Sequence, residues 1–373
     1  CRTVDPALRS GYARGAEYKL HKFTEKRELD FVQYVFPIST VESMAACMTS
    51  KGVELGFGSS WAVTHGEVWR FLGYNMAIMV FHSGGPKEDL WLQENNAKYE
   101  DAVFAAPNLG QYGLDYPRFV KLMRCFTLPT YGDNTDPFDP IRLFIDKWNA
   151  AIHSALAPGR ILTVDESMAL WKGKRGKYGG NGSMPGWMFV ARKPTNCGRE
   201  SHTTADCDTG CIIFVEPYEG KERMANKEFC SEYGKNPAKA MRCTKQWFNS
   251  GRTANVDSGF ASVNLARGLA ENGMYMIGNA KSGHSKFPLK WLLSKTKKRG
   301  QSASCTSTLK VGYHEWELLA AVDRDKQPMC LLGTAGTTAM GETLTSNYFI
   351  FRADGTSSVQ QRTLEQWDVH ATY

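Results

Sequence analysis

The sequence lacks the features that define several common protein classes, and each absence argues against one class of function. Its longest apolar run, Tyr74–Phe81, is broken by Asn75 and is too short to cross a bilayer, so we expect no membrane span. The first twenty residues carry several charges and no apolar core segment, so they do not form a secretory signal. No glycine-rich phosphate loop and no G-x-S-x-G motif occurs, which leaves nucleotide hydrolysis and serine-hydrolase chemistry without support.

The cysteines also lack a pattern that would organise them. The 10 cysteines are scattered and include no C-x-x-C pair, so we expect reduced thiols and no disulfide framework. Cys197, His202, Cys207 and Cys211 are close in sequence and could be imagined as a zinc site. The missing C-x-x-C knuckle and the predicted strands in this region make such a site the weaker interpretation.

The length and the chain ends indicate a piece of a larger protein. A chain of 373 residues corresponds to about two domains. It starts at Cys1 and stops at Tyr373 without a polar tail, so we expect a fragment that is cut short at its C-terminus.

A modest excess of positive charge is concentrated in two tracts. The chain has 45 Lys and Arg against 38 Asp and Glu, a formal net charge of +7. Residues 281–299 contain no acidic residue and seven basic ones: Lys281, Lys286, Lys290, Lys295, Lys297, Lys298 and Arg299. A second cluster, interleaved with glycines, consists of Lys172, Lys174, Arg175 and Lys177. Such runs are most often solvated faces and otherwise mark phosphate-rich partners, so charge alone leaves both interpretations open.

The periodicity of apolar residues predicts a change of architecture along the chain. Two S/T-x-x-E capping boxes, Ser39 with Glu42 and Thr64 with Glu67, precede helical apolar stripes. We therefore predict a helical N-terminal domain, for dimerisation or DNA binding, over residues 1–135 and an α/β domain over 136–373. In the second domain we predict strands at 160–165, 211–215, 252–257 and 274–278, helices at 237–248 and 260–272, and a hairpin at 316–332.

Two aspartates end predicted buried strands. Asp165 closes the run Ile161–Val164, and Asp257 closes Thr253–Val256 just before a helix. The carboxyl edge of an α/β sheet is where ligands bind, and converging carboxylates suit Mg²⁺ or Mn²⁺. The competing interpretation of Asp257 is a helix N-cap, a role that Ser258 could fill equally well.

Several blocks of the sequence resemble the piggyBac-type transposases. Gly159–Met168, followed by Lys193-Pro194 and Gly198, is similar to that family's D-E-S-M…K-P…G pattern. Asn255–Phe260 is similar to the segment around the family's second aspartate, and Glu67–Trp91 to an upstream helix. The order and spacing of these blocks over about residues 60–330 make the resemblance specific.

The resemblance implies a ribonuclease-H-like mixed sheet flanked by helices and a cut-and-paste DNA transposition reaction. It assigns Asp165 and Asp257 as catalytic residues that bind two Mg²⁺ or Mn²⁺ ions, with Glu166 in support. The basic tracts would then contact double-stranded DNA, namely transposon ends and a TTAA target. The resemblance also implies a nuclear protein without a membrane segment, and it leaves a homodimer open.

The third catalytic acid of the family has no counterpart in its expected context. Asp323 and Asp325 fall in the predicted hairpin, and Asp368 comes too early, so the position of the third acid is unknown and we expect it beyond Tyr373. We therefore expect this fragment to be inactive. The alternative function is a domesticated, catalytically inactive DNA-binding protein.

Three further positions depart from the family's pattern. Ser258 and Gly259 stand where the family often has Asn and an aromatic residue, and Asn279 replaces a threonine. These departures bear on activity more than on the fold.

Overall fold

A computed structural model describes most of the chain. The described residues are 17–18, 32–33, 38–81, 86–91, 108–133, 135–171, 185–324, 327–336, 340–351 and 357–367. The chain divides into two compact units, one of them His21–Ala155 and the other Cys1–Leu20 with Leu156–Tyr373. The domain boundary that we place after residue 135 stays a prediction. No helix in the described ranges is both long and apolar enough to span a bilayer.

The first unit is helical in its described part. Its α-helices are α1 (Ile38–Glu54), α2 (His65–Phe81), α3 (Tyr116–Cys125) and α4 (Asp139–Ala155), and short 3-10 helices lie at Lys87–Trp91 and Leu109–Tyr112. The capping box predicted for α2 is present, because the Glu67 amide donates to Thr64 Oγ1 at 3.2 Å and the Thr64 amide donates to Glu67 Oε2 at 3.0 Å.

An aromatic cluster holds this helical unit together. Phe71, Tyr74 and Phe119 are buried. The rings of Tyr74 and Phe119 contact the half-buried Trp91, and the ring of Phe71 contacts Phe119. The Tyr74 hydroxyl donates to the Leu109 carbonyl at 2.7 Å, so the one polar atom of its ring is satisfied inside the core. These side chains are core residues, as their helical spacing predicts.

A mixed sheet forms the centre of the second unit. Nine strands of the described chain belong to it: β3 (Ile161–Leu170), β4 (Trp187–Phe189), β5 (Cys197–Asp206), β6 (Ile212–Pro217), β7 (Thr253–Val256), β8 (Tyr275–Asn279), β9 (Ser302–Val311), β10 (His314–Arg324) and β11 (Pro328–Gly333). Their order is β4-β5-β3-β7-β8-β11-β10-β9, with β6 paired to β5. Strands β3, β7 and β8 are parallel, and the other neighbours are antiparallel. The predicted α/β class with a mixed sheet is confirmed.

Two separate pairs of strands in the described chain lie outside this sheet. β1 (Glu17–Tyr18) pairs with β2 (Leu156–Ala157), and β12 (Met340–Phe351) pairs with β13 (Ser357–Trp367).

Five α-helices in the described part of the second unit accompany its strands. They are α5 (Lys221–Ala225), α6 (Cys230–Tyr233), α7 (Lys235–Thr244), α8 (Val263–Glu271) and α9 (Leu289–Lys295). Helices α7 and α8 pack closely, since a Cβ on Gly268 would lie only 2.6 Å from the sulfur of Met241. Helix α7 is joined to the sheet by the buried Thr204 hydroxyl of β5, which donates to the Cys243 carbonyl at 2.7 Å.

The structure differs from the sequence prediction at several element boundaries. Strand β3 continues five residues beyond Asp165, because it pairs with β5 along its whole second half. The polar stretch around residues 199–206 forms β5, one of the strands expected between Cys197 and Cys211. Strand β9 and helix α9 are not among the predicted elements, because β9 is largely polar and α9 spans only seven residues.

Candidate functional site

Asp165 and Asp257 lie side by side at one edge of the sheet. Strands β3 and β7 are parallel neighbours, and Val164 is the register partner of Val256. The next position on each chain is therefore an aspartate, with one strand spacing, about 4.8 Å, between the two backbones. Both aspartates are exposed. The sheet thus brings together the two acids that the sequence singled out.

Local hydrogen bonds orient both carboxylates. The Glu166 amide donates to Asp165 Oδ1 at 2.7 Å, and the Gly259 amide donates to Asp257 Oδ1 at 2.7 Å. The Thr203 hydroxyl, on β5, donates to the Asp165 carbonyl at 3.3 Å. Within the described residues, the second oxygen of each carboxylate accepts no hydrogen bond and neither side chain forms an ion pair. Each aspartate therefore keeps an exposed oxygen free for a ligand.

Asp257 does not cap the helix that follows it. Helix α8 begins at Val263, and its N-cap is Ser262, whose hydroxyl accepts from the Leu265 amide at 3.2 Å. The Asp257 carboxylate instead closes a tight turn with the Gly259 amide. The N-cap interpretation, whether by Asp257 or by Ser258, is therefore wrong.

Gly259, which departs from the piggyBac-type pattern, allows the observed orientation of the Asp257 carboxylate. A Cβ at this position would lie 2.9 Å from Asp257 Oδ1, closer than side-chain atoms normally approach. An aromatic residue, which piggyBac-type sequences often have here, would require a different orientation of the carboxylate.

The donor set fits a hard divalent cation. Two like-charged carboxylates at adjacent register positions repel each other unless a cation lies between them. Among the described residues no Lys or Arg supplies that charge to Asp165 or Asp257. Exposed carboxylate oxygens without a counter-charge are suitable ligands for Mg²⁺ or Mn²⁺.

Glu166 lies on the opposite face of β3 from Asp165. Successive side chains of a strand alternate between the two faces, and Glu166 is paired in register with His202 of β5. Its carboxylate lies 3.4 Å from Lys193 Nζ, and Lys193 Nζ lies 3.6 Å from Glu200. The structure therefore places the Glu166 backbone amide, and not its carboxylate, against Asp165.

A buried charge network extends from Glu166 across this second face. His202 is fully buried between Glu200, at 3.4 Å from Nε2, and Glu216, at 3.3 Å from Nδ1. Arg242 donates to both oxygens of Glu216, at 2.7 and 3.0 Å. Burial acts to raise the pKa of Glu216, but the bonds from His202 and Arg242 and the charge of Lys227 lower it to about 2.

Burial and neighbouring charges also act in opposite directions on the pKa of Glu200. Burial would raise its pKa, but the contact with His202 and the charges of Lys239 and Lys193 hold the pKa below the usual value. Sequence reasoning missed this network. The available signal was the alternation on β5, where Glu200, His202, Thr204 and Asp206 occupy every second position.

No third acid joins Asp165 and Asp257 in the described part of the chain. Asp323 is near the end of β10, and strands β8 and β11 separate β10 from β7. Three strand spacings put Asp323 about 14 Å from the backbone of Asp257, too far to share an ion with it. Asp325 and Asp368 are outside the described residues.

The longer basic tract forms an exposed positive surface. All seven of its Lys and Arg side chains are exposed, whereas Phe287, Leu292 and Thr296 are buried and anchor the segment. None of its six lysines forms an ion pair with a described residue. Lys281 follows the end of β8, the strand next to β7, so the surface begins one strand away from Asp257.

The second basic cluster and the possible zinc site are the two remaining predicted groups. Lys172, Lys174, Arg175 and Lys177 lie outside the described residues. Cys197, His202, Cys207 and Cys211 do not come together as a zinc site: among the described residues, the only group of three or more His, Cys, Asp or Glu close enough to share an ion is Glu166, Glu200 and His202.

Comparison with known proteins identifies the family. A family model described as Transposase IS4 matches residues 28–348, most of the chain, so the chain belongs to this transposase family. No curated protein matches the chain.

A solved structure of a piggyBac transposase synaptic complex with hairpin DNA, determined by cryo-electron microscopy, is similar with a TM-score of 0.65 and 18% identity. The match covers 88% of this chain and 65% of that transposase, so this chain spans about two-thirds of the length of its structural relative. The match confirms the ribonuclease-H-like fold and the resemblance to piggyBac-type transposases.

Proposed function

We propose that this protein is the central part of a metal-dependent DNA transposase of the piggyBac type. It would cleave phosphodiester bonds at transposon ends and transfer those ends to a target, with TTAA as the proposed target sequence. The observation that supports this most directly is the pairing of Asp165 with Asp257 at adjacent parallel strand ends. Both carboxylates are exposed and lack a counter-charge among the described residues.

Asp165 and Asp257 would hold two Mg²⁺ or Mn²⁺ ions. Such a pair of ions, when bound, activates a nucleophile and stabilises the leaving oxygen of a phosphodiester. The protein orients the ligands, because the amides of Glu166 and Gly259 each hold one oxygen of an aspartate and leave the other oxygen exposed. A third acid from outside the described residues would complete the ligand set.

DNA would bind along the exposed lysines of residues 281–299, aided by the cluster at 172–177. The described lysines are not neutralised by acidic neighbours, so phosphates would displace only water and counterions. Lys286 is tied to α8, the helix after Asp257, by a bond from its Nζ to Asn264 Oδ1 of 3.1 Å. This bond supports a continuous path from the acid pair to the basic surface. We further propose a nuclear location and a homodimer.

A cleavage assay on terminal-repeat DNA tests this proposal. In the full-length protein with Mg²⁺, Asp165→Asn and Asp257→Asn should each abolish cutting and retain binding in a gel-shift assay. Asp323→Asn is the matched control, since Asp323 lies about 14 Å from the backbone of Asp257, and it should cut normally. Normal cutting by the Asp165 and Asp257 variants would refute the catalytic assignment.

The second candidate function is a domesticated DNA-binding protein without catalysis. The observation that favours it is the lack of a third converging acid in the described residues. Here the full-length protein would bind duplex DNA, with affinity falling steeply as salt rises, but would not cut it with Mg²⁺ or Mn²⁺. Cutting that depends on Asp165 would exclude this function.

A further inference from the structure

The buried side of β3 contains a group of metal-ligating atoms away from the acid pair. One ligand atom each from Glu166, Glu200 and His202 lies within 4.8 Å of the others. Glu200 and His202 are buried and Glu166 is half-buried. The group is on the face of the sheet opposite Asp165, so it is a separate feature of the molecule.

The imidazole of His202 is aimed into this group with its second nitrogen unsatisfied. Both oxygens of Glu216 accept hydrogen bonds from Arg242, so Nδ1 of His202, 3.3 Å away, is placed to donate to the same carboxylate. Nε2 is then directed towards Glu200, whose Oε1 lies 3.4 Å away, and it has no hydrogen-bond partner among the described residues. A lone pair facing a carboxylate is repulsive unless a proton or a metal ion lies between them.

The carboxylate behind the histidine resembles the support of a metal ligand. Metal-binding histidines commonly donate their other N–H to a carboxylate, which fixes the tautomer and the ring orientation. Glu216 provides this support and is itself held by two bonds from Arg242. The ring of His202 is thus preorganised, with Nε2 presented towards Glu166 and Glu200.

Lys193 occupies the space between the two carboxylates that would complete the site. Its Nζ lies 3.4 Å from Glu166 and 3.6 Å from Glu200, and its side chain reaches in from a surface loop. An ammonium on a flexible four-carbon chain can swing out towards solvent when another cation takes its place.

We propose that Glu166, Glu200 and His202 bind one divalent transition-metal ion of the zinc class, and that Lys193 moves out when this ion enters. The three protein ligands would leave a fourth position to water, as in other sites with three protein ligands. Ligand atoms around tetrahedral zinc are roughly 3.4 Å apart, so the two glutamates need to close in by about 1 Å.

The charge balance of the network permits this exchange. Four glutamates (Glu166, Glu200, Glu216 and Glu219) pair with four basic side chains (Lys193, Lys227, Arg223 and Arg242). A divalent ion that displaces Lys193 raises the net charge of this network by only one.

The ligand types distinguish this site from the acid pair. An imidazole nitrogen with two carboxylates favours zinc-class ions, whereas the all-oxygen pair of Asp165 and Asp257 favours Mg²⁺. Zinc binding can therefore be measured in the Asp165→Asn/Asp257→Asn double variant, where the proposed catalytic ligands are absent. Failure of the zinc site would leave the proposed transposase function untouched.

The experiment is a calorimetric titration of Zn²⁺ into the chelator-treated double variant. We expect one tightly bound ion per chain. Lys193→Met should tighten binding and Glu166→Gln should weaken it, each by about tenfold. The matched control is Lys239→Met, which removes a nearby charge without vacating the ligand atoms and should leave the affinity within about twofold.

Cobalt(II) shows which atoms bind the ion. Binding by Glu166, Glu200 and His202 gives visible d–d bands without the near-ultraviolet band of a thiolate ligand. A thiolate band would mean that cysteines take up the metal. That result, no uptake by the double variant, or an affinity that Glu166→Gln does not change would each overturn the proposal.

Discussion

The two faces of strand β3 place acidic residues in opposite situations. On one face, Asp165 is exposed beside Asp257, and neither has a counter-charge among the described residues. On the other face, Glu200 and Glu216 are buried, and each lies within 3.6 Å of basic or imidazole groups. Asp165 and Glu166, which are adjacent in sequence, therefore lie in different electrostatic environments.

The difference shows how to separate acids that stabilise the fold from acids that can bind a ligand. A buried carboxylate must be paired, so removal of its partner leaves a buried charge and destabilises the protein. An exposed carboxylate without a partner contributes little to stability and remains available to a cation. Stability and activity should therefore respond to different substitutions on the two faces.

Loss of the Arg242 side chain should have the largest effect on stability. Arg242→Met leaves the Glu216 carboxylate buried without its two-point partner, and the free energy of unfolding should fall by about 3–5 kcal/mol. Urea denaturation measures this. The control is Lys245→Met, which breaks the exposed pair with Glu228 and should cost less than about 1 kcal/mol. Equal losses of unfolding free energy in the two variants would contradict the distinction between buried and exposed acids.

Acidification should remove the stabilisation that the Glu216 carboxylate gives to the folded protein. The pKa of Glu216 is lowered from 4.5 to about 2 in the folded protein, so its stabilisation is complete above pH 4.5 and is lost as the pH falls towards 2. The integrated loss is about 3 kcal/mol. Urea unfolding at successive pH values should show this slope in the wild type. A slope of the same size in a Glu216→Gln variant would assign it to other groups.

A methyl group at Gly259 should disturb activity and spare the fold. The added carbon of Gly259→Ala would meet Asp257 Oδ1 at 2.9 Å and turn the carboxylate away from its present orientation. Mg²⁺-dependent cleavage by the full-length protein should fall about tenfold, as expected for a displaced ligand. Gly73→Ala is the control, since a Cβ there meets no atom within 4 Å and Gly73 lies outside the proposed DNA surface. Equal cutting by both variants would mean that this orientation is unimportant.

Removal of the exposed acids should have the smallest effect on stability. Asp165→Asn and Asp257→Asn should each change the free energy of unfolding by less than about 0.5 kcal/mol, because neither carboxylate is buried or ion-paired within the described residues. Urea denaturation without divalent ions is the measurement. A large loss would show that these acids support the fold as Glu216 does.

Much of the site could be predicted because its signals are local. The apolar runs before Asp165 and Asp257 predict buried strands, and the structure has strands there that place both acids at one sheet edge. The Thr64–Glu67 capping box is equally local and is present as predicted. The burial on strand β5 could not be predicted, because its buried positions carry Glu200, His202, Thr204 and Asp206, which look solvent-exposed in sequence.

The sequence by itself determined that two acids follow apolar strands and that a lysine-rich segment free of acids follows the second one. Those features depend only on neighbours along the chain. The tertiary structure decided that Glu166 turns away from Asp165, that His202 lies between two glutamates, and that Asp323 is remote from the acid pair. The physical reason is that strand pairing determines which residues become neighbours and on which face of the sheet each side chain lies. Such pairing joins residues that are far apart in sequence.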